Sequence, residues 1–201
     1  SGDRLLDLIA QRGGIVGEPH ASFLTVTRGA QTITVPYDFV AKTPKENIFA
    51  APGDAINVTT DPKRFYVFGA TGTVGEFEFD EAKIDLNGAI ARARGLLDGR
   101  ADPAQVLIFR HEHEKSLYGM GADLKDMKQF GGHVPTIYRA DFRKPDSFFM
   151  SQRFQVRDGD VIYVSNADAV EITKFFGIAT TVTGGARAID ADIDVLAGDL
   201  P

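Results

Sequence analysis

One unit of sequence occurs twice in this chain, and no other feature constrains its fold as much. The later copy closes on Val156 to Asn166, where Gly159-Asp160 leads into Val161-Ile162-Tyr163-Val164. The earlier copy closes on Ala50 to Val58, where Gly53-Asp54 leads into Ala55-Ile56-Asn57-Val58. In each, a Gly-Asp turn feeds a run whose apolar residues alternate at period two, the pattern of a half-buried strand. Upstream, Leu5 to Ile15 lies over Leu86 to Leu96, an apolar segment of helical period stopped by glycine in both copies. Phe23 to Arg28 matches Gln105 to Arg110, and Tyr37-Asp38-Phe39 matches Ala140-Asp141-Phe142. The unit therefore reads helix, strand, strand, turn, strand.

The copies differ at two places. Arg64 to Phe79 predicts a strand, a Gly-rich turn and a second strand with Phe77 and Phe79 on one face, and the first copy has no such hairpin. Ser1-Gly2 reads as a cloning remnant, and the first unit is expected to be cut after its opening strands, by cloning or at a natural boundary. The second difference is an insertion from His111 to His133, expected to leave the sheet as an excursion with a short helix near Asp123 to Phe130. The expected organisation is α+β: a first unit over 3–62, a second over 63–165 carrying the 111–133 insertion, an amphipathic helix over 166–185 and an acidic tail over 186–201.

Composition closes off several classes of function. With 43% apolar and 25% charged residues the chain can bury one or two real cores. A net charge of -6 opposes nucleic acid binding, which needs clustered Lys and Arg. The chain has no cysteine, so disulfides, thiolate metal sites and Cys nucleophiles are excluded, and the redox compartment stays open. No signal peptide and no unbroken apolar run of about 18 residues stands in this sequence.

The motifs that suggest chemistry are weak. Gly69-Ala70-Thr71-Gly72-Thr73-Val74-Gly75 fits a dinucleotide fingerprint, but that mechanism needs a helix N-terminus to hold pyrophosphate. The residues that follow, Glu76-Phe77-Glu78-Phe79, alternate as a strand, and no Tyr-x-x-x-Lys pair occurs, so a hairpin turn is the better reading. His111 and His113 stand at i and i+2, on one side of an extended chain, yet zinc needs three or four ligands and the other histidines are only His20 and His133. A solvated start to the insertion is preferred over a metal site. No Ser-x-x-Lys, Gly-x-Ser-x-Gly or Glu-x-x-His motif is present, and the carboxylates are too scattered to nominate a glycosidase pair. Asp98 to Pro103 reads as a loop, and Asp38 and Asp141 recur at equivalent points, where a local turn hydrogen bond is preferred to a ligand contact. No catalytic, cofactor or metal residue is nominated.

From Ser165 the pattern changes. Ser165-Asn166-Ala167-Asp168 offers a capping box, and Ile172, Phe175, Phe176, Ala179 and Val182 then form one apolar stripe, with Asp168, Glu171 and Lys174 on the other side. From Ala167 to Thr183 such a helix would be about 25 Å long, short of the ~30 Å hydrocarbon core, and Gly184-Gly185 ends it. Three roles compete for the stripe: packing on the protein's own sheet, pairing with a partner helix, or facing lipid in a ring of helices whose polar faces line an aqueous pore. The tail from Arg187 to Pro201 is acidic and is expected to be mobile.

The closing run Arg157 to Ala167 followed by a helix resembles the C-terminal half of the outer-membrane polysaccharide export family, the Wza-like proteins. The second unit looks like the soluble-ligand-binding β-grasp (SLBB) domain of that family, through Phe65 to Gly69, Gly75, Ala93-Arg94-Gly95 and Val106 to Arg110. Val74 stands where the family usually has Pro, and Arg94 where Gly is usual. The resemblance implies two β-grasp units in tandem, the first truncated. It also implies a homo-oligomeric ring in the periplasm whose last helices make a pore in the outer membrane of a Gram-negative bacterium. By the same resemblance the partners are the polysaccharide and an inner-membrane polysaccharide export or co-polymerase protein. Ile172, Phe175, Phe176, Ala179 and Val182 would then face lipid or neighbouring helices, and Asp168, Glu171 and Lys174 the pore. Moving a hydrated polymer needs a wide, weakly binding polar wall rather than a reactive site, which accords with the missing catalytic constellation. The expected function is thus a passive conduit for capsular or extracellular polysaccharide. The rival is a soluble periplasmic module that binds saccharide or a partner, with the last helix packed on its own core.

Overall fold

The computed structural model describes residues 2–121 and 131–166. The chain divides into two compact units, one of Ser1–Lys63 with Glu78–Ala82, the other of Arg64–Phe77 with the residues from Lys83 onward.

In the first unit α1 (Leu5–Gln11) precedes β1 (Ser22–Arg28), β2 (Gln31–Pro36), α2 (Tyr37–Lys42) and β3 (Ala55–Thr60). Helix α1 starts where the Asn47 side-chain oxygen accepts the Leu6 amide at 3.1 Å, and Leu5 N–H donates to the Ile48 carbonyl. Two donors that a helix start leaves open are thereby satisfied from a distant loop. The helix stops in a Schellman arrangement: Gly13 N–H donates to Ala10 O, Gly14 N–H to Ile9 O, and Gly13 has φ 102°. Strand β1 is central, antiparallel to both neighbours, with Leu24 opposite Val35 on β2 and Val58 on β3. Leu5 and Ile9 of α1, Leu24 and Val40 make the buried core, with Ile56 and Val58 only partly covered.

The second unit runs β4 (Arg64–Gly69), β5 (Gly75–Glu78), β6 (Ile84–Asp85), α3 (Leu86–Arg92), β7 (Ala101–His113), α4 (Glu114–Gly119), β8 (His133–Ala140), α5 (Pro145–Arg153), β9 (Gln155–Val156) and β10 (Val161–Asn166). Its main sheet has the order β5-β4-β10-β7-β8, and β6 pairs with β9 in a small ladder of its own. The last strand lies in the middle: β10 is parallel to β4, with Ile162 opposite Val67, and antiparallel to β7, with Ile162 opposite Ile108. Phe65, Val67, Leu86, Ala89, Val106, Ile108, Ile162 and Val164 are all completely buried. Asp85 caps α3 by accepting the Gly88 amide at 2.7 Å. Asn87 on α3 donates to the Phe148 carbonyl of α5 at 2.9 Å, tying the two helices together.

Helix α3 ends as α1 does. Arg94 N–H donates to Ala91 O and Gly95 N–H to Ile90 O, so Arg94 takes the left-handed position, φ 60°, that Gly13 takes in the first unit. The Gly-rich run that resembles a dinucleotide fingerprint starts no helix. Gly69 ends β4, Gly72 and Thr73 donate to the carbonyls of Gly95 and Ala93, and Gly75 opens β5, where Phe77 stacks on Phe65 with centroids 5.4 Å apart. Gly69 is required there, since a Cβ at that position would meet the Val164 carbonyl oxygen at 1.9 Å.

Two expectations need adjusting. Strand β5 ends at Glu78, and Phe79 turns away, its amide donating to Lys63 O at 2.9 Å. Strand β7 continues through His111 to His113, so the departure from the sheet begins at α4 rather than at His111. The cause is that β8 pairs along the whole extension, as far as His113 opposite His133. The helix expected near Asp123 to Phe130, and the stripe Ile172, Phe175, Phe176, Ala179, Val182 with Asp168, Glu171 and Lys174, lie outside the described residues. Among the described residues no helix is long and apolar enough to cross a membrane.

Candidate functional site

Alternation along β7 fixes the site. Ile108, Arg110 and Glu112 point to the covered face of the sheet, while His111 and His113 point to solvent. An apolar residue at 110 or 112 would continue the core, but the chain places two opposite charges there and must pair them. Arg110 crosses to the Gly-Asp turn before β10 and grips Asp160 with both prongs, Nε to Oδ1 at 2.8 Å and Nη2 to Oδ2 at 2.6 Å. Its Nη2 also donates to the Gln155 carbonyl at 2.8 Å, and Nη1 lies 3.3 Å from Glu112 Oε1. The guanidinium carbon stands 4.8 Å from the centre of the Phe154 ring.

Glu112 is equally committed. Tyr138 donates its hydroxyl to Oε1 at 2.8 Å and Arg157 donates Nη1 to Oε2 at 2.8 Å, with the Glu112 side chain 2% exposed. Burial pushes the Glu112 carboxyl up, but the hydrogen bonds from Tyr138 and Arg157 and the charges of Arg157 and Arg110 outweigh it and hold it below the ordinary value. Burial, then the Glu112 charge, pushes the Tyr138 phenol up. Burial likewise works against the Arg110 cation, and Asp160 with Glu112 more than restores it. Two anions meet two cations, so the network is internally neutral.

The first unit carries a counterpart. Arg28, at the end of β1, donates Nε to Asp54 Oδ1 at 2.8 Å and Nη2 to Oδ2 at 2.7 Å, and Nη2 also reaches the Phe49 carbonyl at 3.2 Å. Each aspartate in turn accepts a turn amide at 2.8 Å, Ala51 N–H on Asp54 and Arg157 N–H on Asp160. The hydrogen bond from Arg28, then that from Ala51, holds the Asp54 carboxyl down at about 2. The difference is cover: the Arg28 side chain is 50% exposed and that of Arg110 only 6%.

Beside the buried network a cavity of about 380 Å³ opens, lined by Glu112, Ser116, Met120, Met150, Arg153 and Arg157 among others. Its volume suits a small ligand. Two smaller cavities lie in the first unit. One of about 320 Å³ lies between α1 and β3, lined by Leu8, Ile9, Ile56 and Val58; the other, of about 210 Å³, is lined by Ile33, Val35, Phe39 and Ile48.

The remaining residues singled out in the sequence take local roles. His113 faces His133 across the ladder, ring centres 5.5 Å apart, and accepts the Lys115 amide on Nδ1 at the start of α4. Among the described residues no group of three or more His, Asp or Glu side chains could hold a metal ion. Asp38 pairs with Lys42 at 2.6 Å, and Asp141 takes the Arg143 side chain and amide at 3.1 Å, both of them contacts close in sequence. Asp160, Glu112 and Tyr138 were not nominated from sequence. The signal for Glu112 was its even spacing from Ile108 in a strand.

Residues 63–164 match the family model of the SLBB domain. The chain is 34% identical over 183 residues to the capsule polysaccharide export protein BexD of Haemophilus influenzae, covering 90% of this chain and 46% of that protein. It is 34% identical over 193 residues to the capsule polysaccharide export outer membrane protein CtrA of Neisseria meningitidis, covering 94% of this chain and 49% of that protein. To the Vi polysaccharide export protein VexA/TviF of Salmonella typhi it is 28% identical over 149 residues, 74% of this chain and 39% of that protein. The chain thus spans about half the length, or less, of these curated relatives. A mixed five-stranded sheet closed by an Arg-Asp latch, a family model matched from the first strand of that sheet to its last, and capsule export relatives along nine-tenths of the sequence have one reading: the chain belongs to the SLBB domain family, as a relative of the outer-membrane polysaccharide export proteins.

Proposed function

We propose that this chain is the periplasmic and outer-membrane portion of a homo-oligomeric channel that exports capsular or extracellular polysaccharide, acting as a conduit without catalysis. The observation that carries this reading is the 34% identity to CtrA over 94% of the chain, which leaves fewer residues outside the match than the acidic tail 186–201 contains. The similarity therefore runs through both units and the 166–185 stretch.

Both units are read as SLBB folds in tandem. In support, β1 lies between β2 and β3 as β7 lies between β8 and β10, and each of β1 and β7 carries an arginine latched to the Gly-Asp corner before the last strand. In the second unit β4 lines the far edge of β10 and buries Phe65 and Val67; in the first, β3 pairs with β1 alone among the described residues, and the 320 Å³ cavity stands beside Ile56 and Val58. This is the arrangement expected of a unit lacking its opening hairpin.

In the assembled channel the helix over 166–185 crosses the outer membrane, with Ile172, Phe175, Phe176, Ala179 and Val182 against lipid or neighbouring helices and Asp168, Glu171 and Lys174 toward the aqueous lumen. The body receives polymer from an inner-membrane polysaccharide export or co-polymerase protein. These 201 residues contribute no native cysteine to the test. A single Gly184→Cys substitution in the full-length protein is probed on intact cells with a membrane-impermeant thiol reagent. Labelling from outside is expected. Protection in intact cells with labelling only after lysis would place the segment inside the periplasm and favour the soluble binding module. A full-length protein that stays monomeric in detergent at every concentration would defeat the channel.

A further inference from the structure

We infer that the cavity beside the Arg110–Glu112–Tyr138 network is a binding site for an acidic sugar residue of the transported polymer, so it rests on the export reading and narrows its substrate. The chemistry on its walls is one-sided. Glu112 contributes the lining carboxylate, and Tyr138, Arg110 and Arg157 already donate to it. Arg110 is neutralised behind the wall by Asp160. Arg157 spends Nη1 on Glu112 while its side chain remains 57% exposed, which leaves Nε and Nη2 to the cavity. Arg153 is exposed on the same wall, and among the described residues no hydrogen bond or ion pair engages it.

The cavity therefore offers unspent donors and one surplus positive charge, with its lining carboxylate already paired. A guanidinium of this kind matches a carboxylate in bidentate fashion. Met120 and Met150 supply apolar wall against which the C–H face of a pyranose can lie, and the Ser116 hydroxyl can bond a ring hydroxyl. A volume of about 380 Å³ accommodates one such residue of a chain whose neighbours continue into solvent. A conduit gains from this geometry, because one shallow charge contact per subunit holds an acidic polymer briefly without trapping it.

The experiment is a titration of the 201-residue chain, followed by backbone amide NMR, with a glucuronate-containing tetrasaccharide and, in parallel, with an uncharged N-acetylglucosamine tetrasaccharide and inorganic phosphate. The acidic tetrasaccharide is expected to shift amides at Ser116, Met120 and Arg153 to Arg157. Arg153→Ala, which removes no hydrogen bond or ion pair among the described residues, should weaken that binding about tenfold. Equal shifts from the uncharged tetrasaccharide, or Arg153→Ala binding like the parent, would overturn the site. Phosphate producing the whole effect would reduce it to a simple anion contact and overturn the sugar assignment. Capsule export by cells carrying only a deletion of the full-length gene separates the two proposals: normal export with intact binding refutes the conduit alone, and lost export with no binding refutes the sugar site alone.

Discussion

Arg110 and Asp160 stand 50 residues apart in sequence and meet in two parallel hydrogen bonds of 2.8 and 2.6 Å, with neither side chain more than 6% exposed. The pair joins the middle of β7 to the turn that launches β10, so it fixes the register of the strand on which the second sheet is centred.

Removing one partner leaves a buried charge. Asp160→Ala is expected to cost the second unit about 3–5 kcal/mol, read as a loss of urea midpoint by a probe in that unit. Asp54→Ala in the half-exposed latch of the first unit should cost less. Replacing both Arg110 and Asp160 by apolar residues of similar size should recover much of the loss. Equal losses in the two units would contradict this account.

Acid should loosen the latch of the first unit and the Glu112 network of the second. Asp54 is held at about 2, and Glu112 also lies below the ordinary value, so in the native state each releases its proton at lower pH than in the unfolded chain. Their contribution is complete above about pH 4, the unfolded carboxylate value, and disappears as pH falls through the native ones. Urea midpoints measured from pH 7 down to pH 2 should be flat at first and fall below about pH 4 to 5. Arg28→Met should flatten the part of that fall due to the first unit.

Arg94 sits in the left-handed region with φ 60° at the end of α3, where Gly13 stands at the end of α1. A side chain there carries a steric cost of about 1 kcal/mol or more, part of which returns as unfolded-state entropy when glycine replaces it. Arg94→Gly should raise stability by about 0.5–1 kcal/mol, visible as an upward shift in melting temperature. A fall would show that Arg94 makes a contact worth more than its strain.

Gly69→Ala should have the opposite effect. Its Cβ would fall 1.9 Å from the Val164 carbonyl oxygen, so the parallel pairing of β4 with β10 must part. A loss of about 3 kcal/mol or more is expected, with faster hydrogen exchange at Tyr66 and Ala70, whose amides donate to Asp160 and Val164. Unchanged protection there would mean that the backbone can shift at no cost.

Much of this fold was legible in the sequence. The helices over Leu5 to Gln11 and Leu86 to Arg92 and the strands after each Gly-Asp pair stand in the structure. Both ends of each latch were in view too, a strand closing on Arg28 or Arg110 and a corner at Asp54 or Asp160. Their pairing was not, because spacings of 26 and 50 residues carry no signal until strand order brings them together. Glu112 was hidden differently. Set between two histidines in His111-Glu112-His113, it drew notice as part of a metal-like run. The alternation that turns both histidines to solvent also turns Glu112 inward, onto Tyr138 and Arg157. Treating 111–133 as an excursion from its first residue concealed this, since the long partner strand β8 comes after the excursion.

The central position of β10 also orders the folding of the second unit in time. The β4–β5 and β7–β8 pairs are short-range in sequence compared with the sheet they build, and each can form as the chain is made. They cannot join, because the strand between them is synthesised last. Val161 to Asn166 acts as a keystone: until it slots in, two half-sheets wait with open edges, and whatever follows Asn166 is held to a finished body only from that moment.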